Sequence, residues 1–226
     1  MTEVPVIVIS STSQAVGKST IALNLAAAMW SDGYDVKLFA PDNKIIKDFL
    51  EKRLLISKQC QIDMPMPQIV DSVNVEENNK AVVIAIIPSN QNDAWAEVFY
   101  KAHTLISVGC TEKDFMWTLQ HPYINLIWQS KKQAAARGVK YLNWIVLQNM
   151  LDSNANKLQS YLQPLAKQLG FRIAEPIYRR VSYQYLQNGY CTADMAKYRQ
   201  VFKMSMDDVY ARHEILNLTD DLWKHK

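Results

Sequence analysis

Five short apolar runs punctuate the chain: VPVIVIS (4–10), VKLFA (36–40), AVVIAII (81–87), TLISV (104–108) and WIVLQ (144–148). Within each, apolar residues follow one another almost without a break, where a half-exposed strand would alternate them with polar ones. The runs therefore predict strands covered on both faces. Between them the period lengthens. Residues 18–30 place Ile21, Leu25, Ala28 and Met29 on one face of a helix, and residues 153–169 do the same with Leu158, Leu162, Leu165 and Leu169 before Gly170 supplies a stop. A helical pattern returns near Met206–Trp223. Strands alternating with helices predict an α/β fold, a doubly wound, mostly parallel sheet with helices on both faces. The stretch 61–80, with two prolines and little periodicity, predicts a surface loop plus a short helix. No linker rich in Pro, Gly or Ser interrupts the 226 residues, so the expectation is a single domain spanning 1–226.

Composition narrows the chemistry. Cys60, Cys110 and Cys191 are odd in number, far apart and without CxxC spacing, which predicts buried free thiols instead of a disulfide framework or zinc site. The histidines His103, His121, His213 and His225 share no metal-ligand spacing. With no basic-then-apolar leader and no apolar run approaching about 18 residues, the expected location is cytoplasmic, with no membrane partner. The net charge of +3 conceals an asymmetry. Residues 129–203 carry twelve Lys/Arg against only Asp152, Glu175 and Asp194, an excess of nine that leaves −6 for the rest. An anionic partner and a merely solvated basic surface account for this equally well.

Ala15-Val16-Gly17-Lys18-Ser19-Thr20 lies where the first strand gives way to the first helix. A helix start offers unpaired backbone N–H groups and the positive end of the helix dipole. Gly17 lets the backbone approach phosphates, Lys18 would neutralise β/γ-phosphate charge, and Ser19 could ligate magnesium. Thr12 stands where the pattern G-x-x-x-x-G-K-[ST] asks for its first glycine. The strand-to-helix context favours nucleotide binding over a chance tetrapeptide.

Three segments carry a resemblance: GKSTIALNLAAAMWSDGYDV, WQSKKQAAARGVKYLNWIVLQNMLDS and LQPLAKQLGFRIAEPIYRRVSYQYLQNGYCTADM. Through them the chain resembles the ParA/MinD family of deviant-Walker P-loop ATPases, most closely its MipZ-like branch, over nearly its whole length. The resemblance implies ATP/ADP and Mg2+ as cofactors. It also implies an ATP-dependent homodimer on nonspecific DNA, a nucleoid-associated location, a ParB-type partner and the division tubulin FtsZ as client. Carried onto this sequence, Ala15 to Thr20 hold the phosphates, Ser19 the metal, and Asn149 the adenine. Lys18 and Asp42 take the catalytic roles, Asp42 placing the attacking water. Lys131, Lys132, Arg172, Arg179, Arg180, Lys197 and Arg199 are the cations that would meet DNA phosphates.

The sequence departs from the family pattern at four places. The lysine that reaches across the dimer is Ser13, and the glycines after it are Gln14 and Ala15. The strand-2 motif keeps one acid of two, in Ala40-Pro41-Asp42. Ile86 stands where the Walker B acid belongs, and Ser89-Asn90 replaces the glycine pair of switch II. Three functions stay open: a slow ATPase switch, a catalytically inactive pseudo-ATPase acting through protein contacts, and a DNA-binding scaffold independent of ATP.

Overall fold

Each of the five apolar runs is a strand, and the reason is visible in how completely they are buried. In chain order the strands are β1 (Val6–Ser10), β2 (Asp35–Phe39), β3 (Gln68–Ile69), β4 (Ala81–Ile86), β5 (Thr104–Gly109), β6 (Asn143–Gln148) and β7 (Arg172–Ile173). They form one sheet in the order β3-β2-β4-β1-β5-β6-β7. Every pairing is parallel. The computed structural model describes residues 4–75, 80–89, 93–120, 122–139, 141–152 and 156–223. His121, His225 and Asn90 lie outside the described residues.

Successive side chains of a strand point to opposite faces, and two cores result. Ile7 and Ile9 of β1 face a layer built from α1 (Lys18–Ser31), α2 (Lys44–Cys60), α7 (Thr192–Lys197) and α8 (Met206–Trp223). Val6 and Val8 face the other layer, which includes α3 (Ala96–Tyr100), α5 (Tyr123–Ala136) and α6 (Asn156–Leu169). Completing the set are α4 (Glu112–Thr118) and two 3-10 helices, Asp93–Trp95 and Val181–Asn188.

Two expectations need correction. The stretch 61–80 holds no helix among its described residues; Gln68–Ile69 instead pairs with Lys37–Leu38 as an edge strand. The pattern of α1 predicts one buried face, yet Ser19 and every residue from Ile21 to Met29 are buried. The cause is tertiary: α8 and α7 cover the side of α1 that the sheet leaves open. The three cysteines are free as expected, but only Cys191 is fully buried. Among the described residues no helix is long and apolar enough to cross a membrane.

Candidate nucleotide-binding site

β1 lies at the centre of the sheet, between β4 and β5, and its C-terminal end delivers the chain into the loop before α1. Gly17 caps α1 with φ +86° and no side-chain hydrogen bond. A Cβ at this position would sit 2.2 Å from Asn149 Nδ2, so both the backbone angle and the neighbour require glycine. Ala15 also holds a left-handed φ of +56°. Asn149 donates from Nδ2 to the Val16 carbonyl at 2.8 Å and fixes the loop from behind. The backbone N–H groups of Gly17 to Thr20 find no acceptor among the described residues; the first bond of the helix runs from Ile21 N to Gly17 O. This is a bare helix N-terminus of the kind that accepts phosphate.

The loop opens onto a cleft of about 810 Å³. Lys18 reaches across its wall and donates from Nζ to Ser89 Oγ at 2.5 Å, and Ser89 Oγ donates in turn to the Ser13 carbonyl at 2.6 Å. Burial lowers the pKa of Lys18 to about 8, and no acid among the described residues counters that effect. Ser19 accepts from Asn43 Nδ2 at 2.9 Å, while Asn43 Oδ1 caps α2 by accepting from Ile46 N at 3.3 Å. Asp42 is exposed, with a left-handed φ of +50°, and is the one acid among the described residues lining the cleft. Ile86, paired with Ile9, ends β4 fully buried. Trp95 also lines the cleft, and its indole Nε1–H is buried without a partner among the described residues.

A second pocket of about 380 Å³ adjoins the first, with Thr20, Ile45 and Met150 lining both. Asn149 lines it too, alongside aromatic and apolar surface from Phe49, Tyr178 and Leu186. With one amide hydrogen committed to Val16, Asn149 keeps its second hydrogen and Oδ1 for other partners. The far wall is held by α8. Arg180 pairs with Glu214 at 2.6 Å and Asp207 at 2.9 Å, and the Tyr183 hydroxyl donates to Ala211 O and Glu214, both at 2.9 Å.

The seven cations expected to meet DNA are not brought together as one row. Lys131 donates to the carbonyls of Leu169 and Gly170 at the end of α6 and lies over the rings of Trp128 and Trp144. Arg172 is tied to Asn143 and to Asp221 O, and Arg180 to its two acids. Arg179 makes an exposed pair with Asp152 at 3.3 Å, a kind that holds weakly. Lys197 sits over the Tyr198 ring, whereas Lys132 and Arg199 are exposed with no partner among the described residues. Lys132 belongs to α5 on one face of the sheet, and Lys197 to α7 on the other.

Sequence reasoning passed over Asn43 and Arg53, and noted Ser89 only as a replacement in switch II. Asn43 was detectable, because Asn before an apolar helical pattern is an N-cap signature. Arg53 falls on the Ile46–Phe49 face of α2, a cation at a core position. Ser89 lies in a loop, and nothing in its neighbours marks it.

The residues present fit a phosphate chain: Lys18 Nζ, Asn43 Nδ2 and four free backbone N–H groups are all donors. They do not fit a resident magnesium ion, which is held through carboxylates, phosphates and water oxygens. Ile86 offers no oxygen, Ser19 faces an amide donor, and no cluster of three His, Cys, Asp or Glu capable of holding a metal occurs among the described residues.

Among solved structures, the chain resembles an ATP complex of a McdA variant from Cyanothece (TM-score 0.60, 13% identity, covering 98% of this chain and 97% of that one). It likewise resembles the cell division protein MinD from Aquifex aeolicus (TM-score 0.58, 15% identity, 98% of each chain). A third is a plasmid partition protein from Borrelia burgdorferi bound to AMPPNP (TM-score 0.56, 13% identity, 96% of this chain and 98% of that one). At these identities the likeness establishes the fold. No curated protein matches the sequence. The family model for the ATPase MipZ matches residues 109–224, just over half of the chain. With a phosphate loop opening the central helix of a seven-stranded parallel sheet, and with that match running from the end of β5 through α8, this chain belongs to the ATPase MipZ family.

Proposed function

We propose that this protein binds ATP and ADP at the cleft after β1 and serves, as a MipZ-like member of the ParA group, to regulate division-site placement or chromosome partitioning. One observation carries the reading. The bare N-terminus of α1, with Gly17 in its left-handed turn and Lys18 withdrawn from water with no ion-pair partner among the described residues, is a concentrated positive site that a phosphate chain would neutralise. The adjoining pocket has the size and aromatic lining of a base site, with Asn149 at the junction. Complexes of the Borrelia protein with AMPPNP and of McdA with ATP support the same use of the fold.

Hydrolysis is slow or absent in this reading. Lys18 and Asp42 remain as catalytic groups, but Ile86 replaces the Walker B acid and Ser13 the lysine that would act across a dimer. Each lost charge-stabilising group costs roughly 10²–10³-fold in rate. A dimer on ATP would have to be held by contacts other than that lysine. Nonspecific DNA would engage cations with no acid partner among the described residues: Arg199, Lys203 and Arg212, which line one pocket, with Lys197 nearby in sequence, and Lys132 on α5. ParB-type proteins and FtsZ are the partner classes the family implies. The motif losses favour one second reading, a pseudo-ATPase in which nucleotide only stabilises a binding scaffold.

Thermal unfolding with ATP and with ADP, for the wild type and Lys18→Ala, tests binding; steady-state phosphate release tests turnover. The proposal expects a nucleotide-dependent rise in Tm that Lys18→Ala abolishes. No rise in the wild type would remove the nucleotide from this protein's function. Phosphate release at the rate of an intact family member would show that the missing acid has been replaced.

A further inference from the structure

We infer that this cleft takes its nucleotide as the free anion, without a magnesium ion. The inference rests on the nucleotide reading above and specifies which ionic form the site selects.

Asn43 is the deciding residue. Its Oδ1 is committed to Ile46 N as the N-cap of α2, so its Nδ2 must face Ser19, where it donates to Oγ at 2.9 Å. The two contacts together settle the amide's orientation, since a flipped amide would leave a donor against a backbone N–H. A P-loop serine contributes to a cation through a lone pair. Here one of its lone pairs is taken, and the group next to it presents N–H hydrogens. Those hydrogens carry partial positive charge and attract a phosphate oxygen while repelling a dication. Ile86 adds a hydrocarbon wall where a hydrated ion needs an oxygen, and Asp42 is a single carboxylate on an exposed turn. Magnesium binds with near-ideal octahedral oxygen geometry, commonly with one or two carboxylates beside the phosphates, and gives up its waters reluctantly.

The counter-charge comes from the protein instead. Lys18 Nζ, Asn43 Nδ2 and the free N–H groups of Gly17 to Thr20 converge on one cleft, and the unpartnered indole N–H of Trp95 belongs to its lining. Such a donor-rich site satisfies β- and γ-phosphate oxygens directly. A bound magnesium ion would cover some of those oxygens and leave the donors facing its positive charge.

Isothermal titration calorimetry with ADP and with ATP, in EDTA and then in excess MgCl2, decides the matter. The expected result is an affinity in EDTA equal to or greater than that in magnesium. An affinity about tenfold or more lower in EDTA, as a metal-bridged phosphate requires, overturns the inference and leaves the nucleotide reading intact. Heat in neither buffer overturns both. Asn43→Asp keeps an N-cap side chain but sets a carboxylate beside the phosphates. It should lose about tenfold in EDTA, from like-charge repulsion, and regain affinity when magnesium is added. An Asn43→Asp protein that binds as the wild type does in both buffers would overturn the role given to Asn43.

Discussion

Two polar clusters in the same helical layer, one fully buried around Arg53 and one half-buried around Lys18, follow opposite rules. Arg53, midway along α2, is wholly shielded from water, and each nitrogen of its guanidinium is hydrogen-bonded. Nε donates to Pro65 O at 2.6 Å, Nη1 to Asp194 at 2.7 Å and to Gly189 O at 3.3 Å, and Nη2 to Asp194 at 2.8 Å. The rings of Trp30 and Phe49 lie against it at 5.6 and 5.5 Å. Lys18, at the other end of the same layer, has among the described residues one side-chain acceptor, Ser89, and no acid. A protein interior tolerates charge when it is paired and hydrogen-bonded. The completed cluster is therefore a strut joining α2 to α7, and the incomplete one, in an open cleft, is a place that an outside anion completes.

Breaking the strut should have the largest effect. Arg53→Ala or Asp194→Ala leaves an unpaired buried charge and should lower stability by about 3–5 kcal/mol, read as a fall in the urea midpoint. Replacing both, Arg53→Met with Asp194→Leu, should recover most of that loss, because the cost lies in the orphaned charge. A double variant as unstable as either single would show that the guanidinium's bonds to Pro65 and Gly189 matter more than the ion pair. Nucleotide affinity per folded molecule should be unchanged in all three.

Gly17→Ala attacks the other cluster through the backbone. The φ of +86° alone costs roughly 1–2 kcal/mol for an L-residue. The new Cβ would also push Asn149 off Val16, since only 2.2 Å separates it from Nδ2. The variant should lose both Tm and nucleotide response. Retention of the full response would mean the loop can re-form around a side chain.

The difference between the clusters also explains what the sequence revealed. Long buried strands announce themselves, because covering both faces with helices leaves no room for polar residues; all five interior strands were legible in this way. The edge strands β3 and β7 are two residues each and too short to carry a period. The glycine and lysine of the phosphate loop were legible because they act locally, between one strand and one helix. The contact of Ser89 with Lys18 was not, since the two lie 71 positions apart; Asn43 was legible as a helix cap, but not as the partner of Ser19, 24 positions away. Arg53 and Asp194 are separated by 141 positions, and no local pattern links them. The basic excess of residues 129–203 was legible as charge, but not its use: Lys131, Arg172 and Arg180 are engaged within the fold.

Lys18→Ala sharpens the contrast from the binding side. Removing Arg53 should destabilise the protein strongly, whereas removing Lys18 should leave stability unchanged or slightly higher, because a desolvated ammonium with one neutral acceptor gains little from folding. Affinity for ADP should fall by about 10- to 100-fold, the range for a hydrogen bond to a charged group. Titration calorimetry and urea denaturation on the same preparation separate the two effects. A loss of stability comparable with that of Arg53→Ala would place Lys18 among the struts.

The smallest effect is the dependence on pH, and its sign follows from Lys18. In the free protein burial lowers this pKa to about 8. Phosphate beside the ammonium favours the charged form and raises the value in the complex. Below about pH 8 both states hold the proton, and this group leaves affinity level. Above it the free protein has lost a proton that binding must restore, so affinity falls with rising pH until the higher pKa of the complex is passed. One proton limits the fall to about tenfold per pH unit. The terminal phosphate, titrating near pH ~6, is already ionised there and adds no opposing slope. Calorimetry in buffers of different ionisation heat should show proton uptake on ADP binding just above pH 8 in the wild type and none in Lys18→Ala. An affinity that stays level through this range would mean that the phosphate does not meet the ammonium, and the cleft would then be as self-contained as the cluster around Arg53.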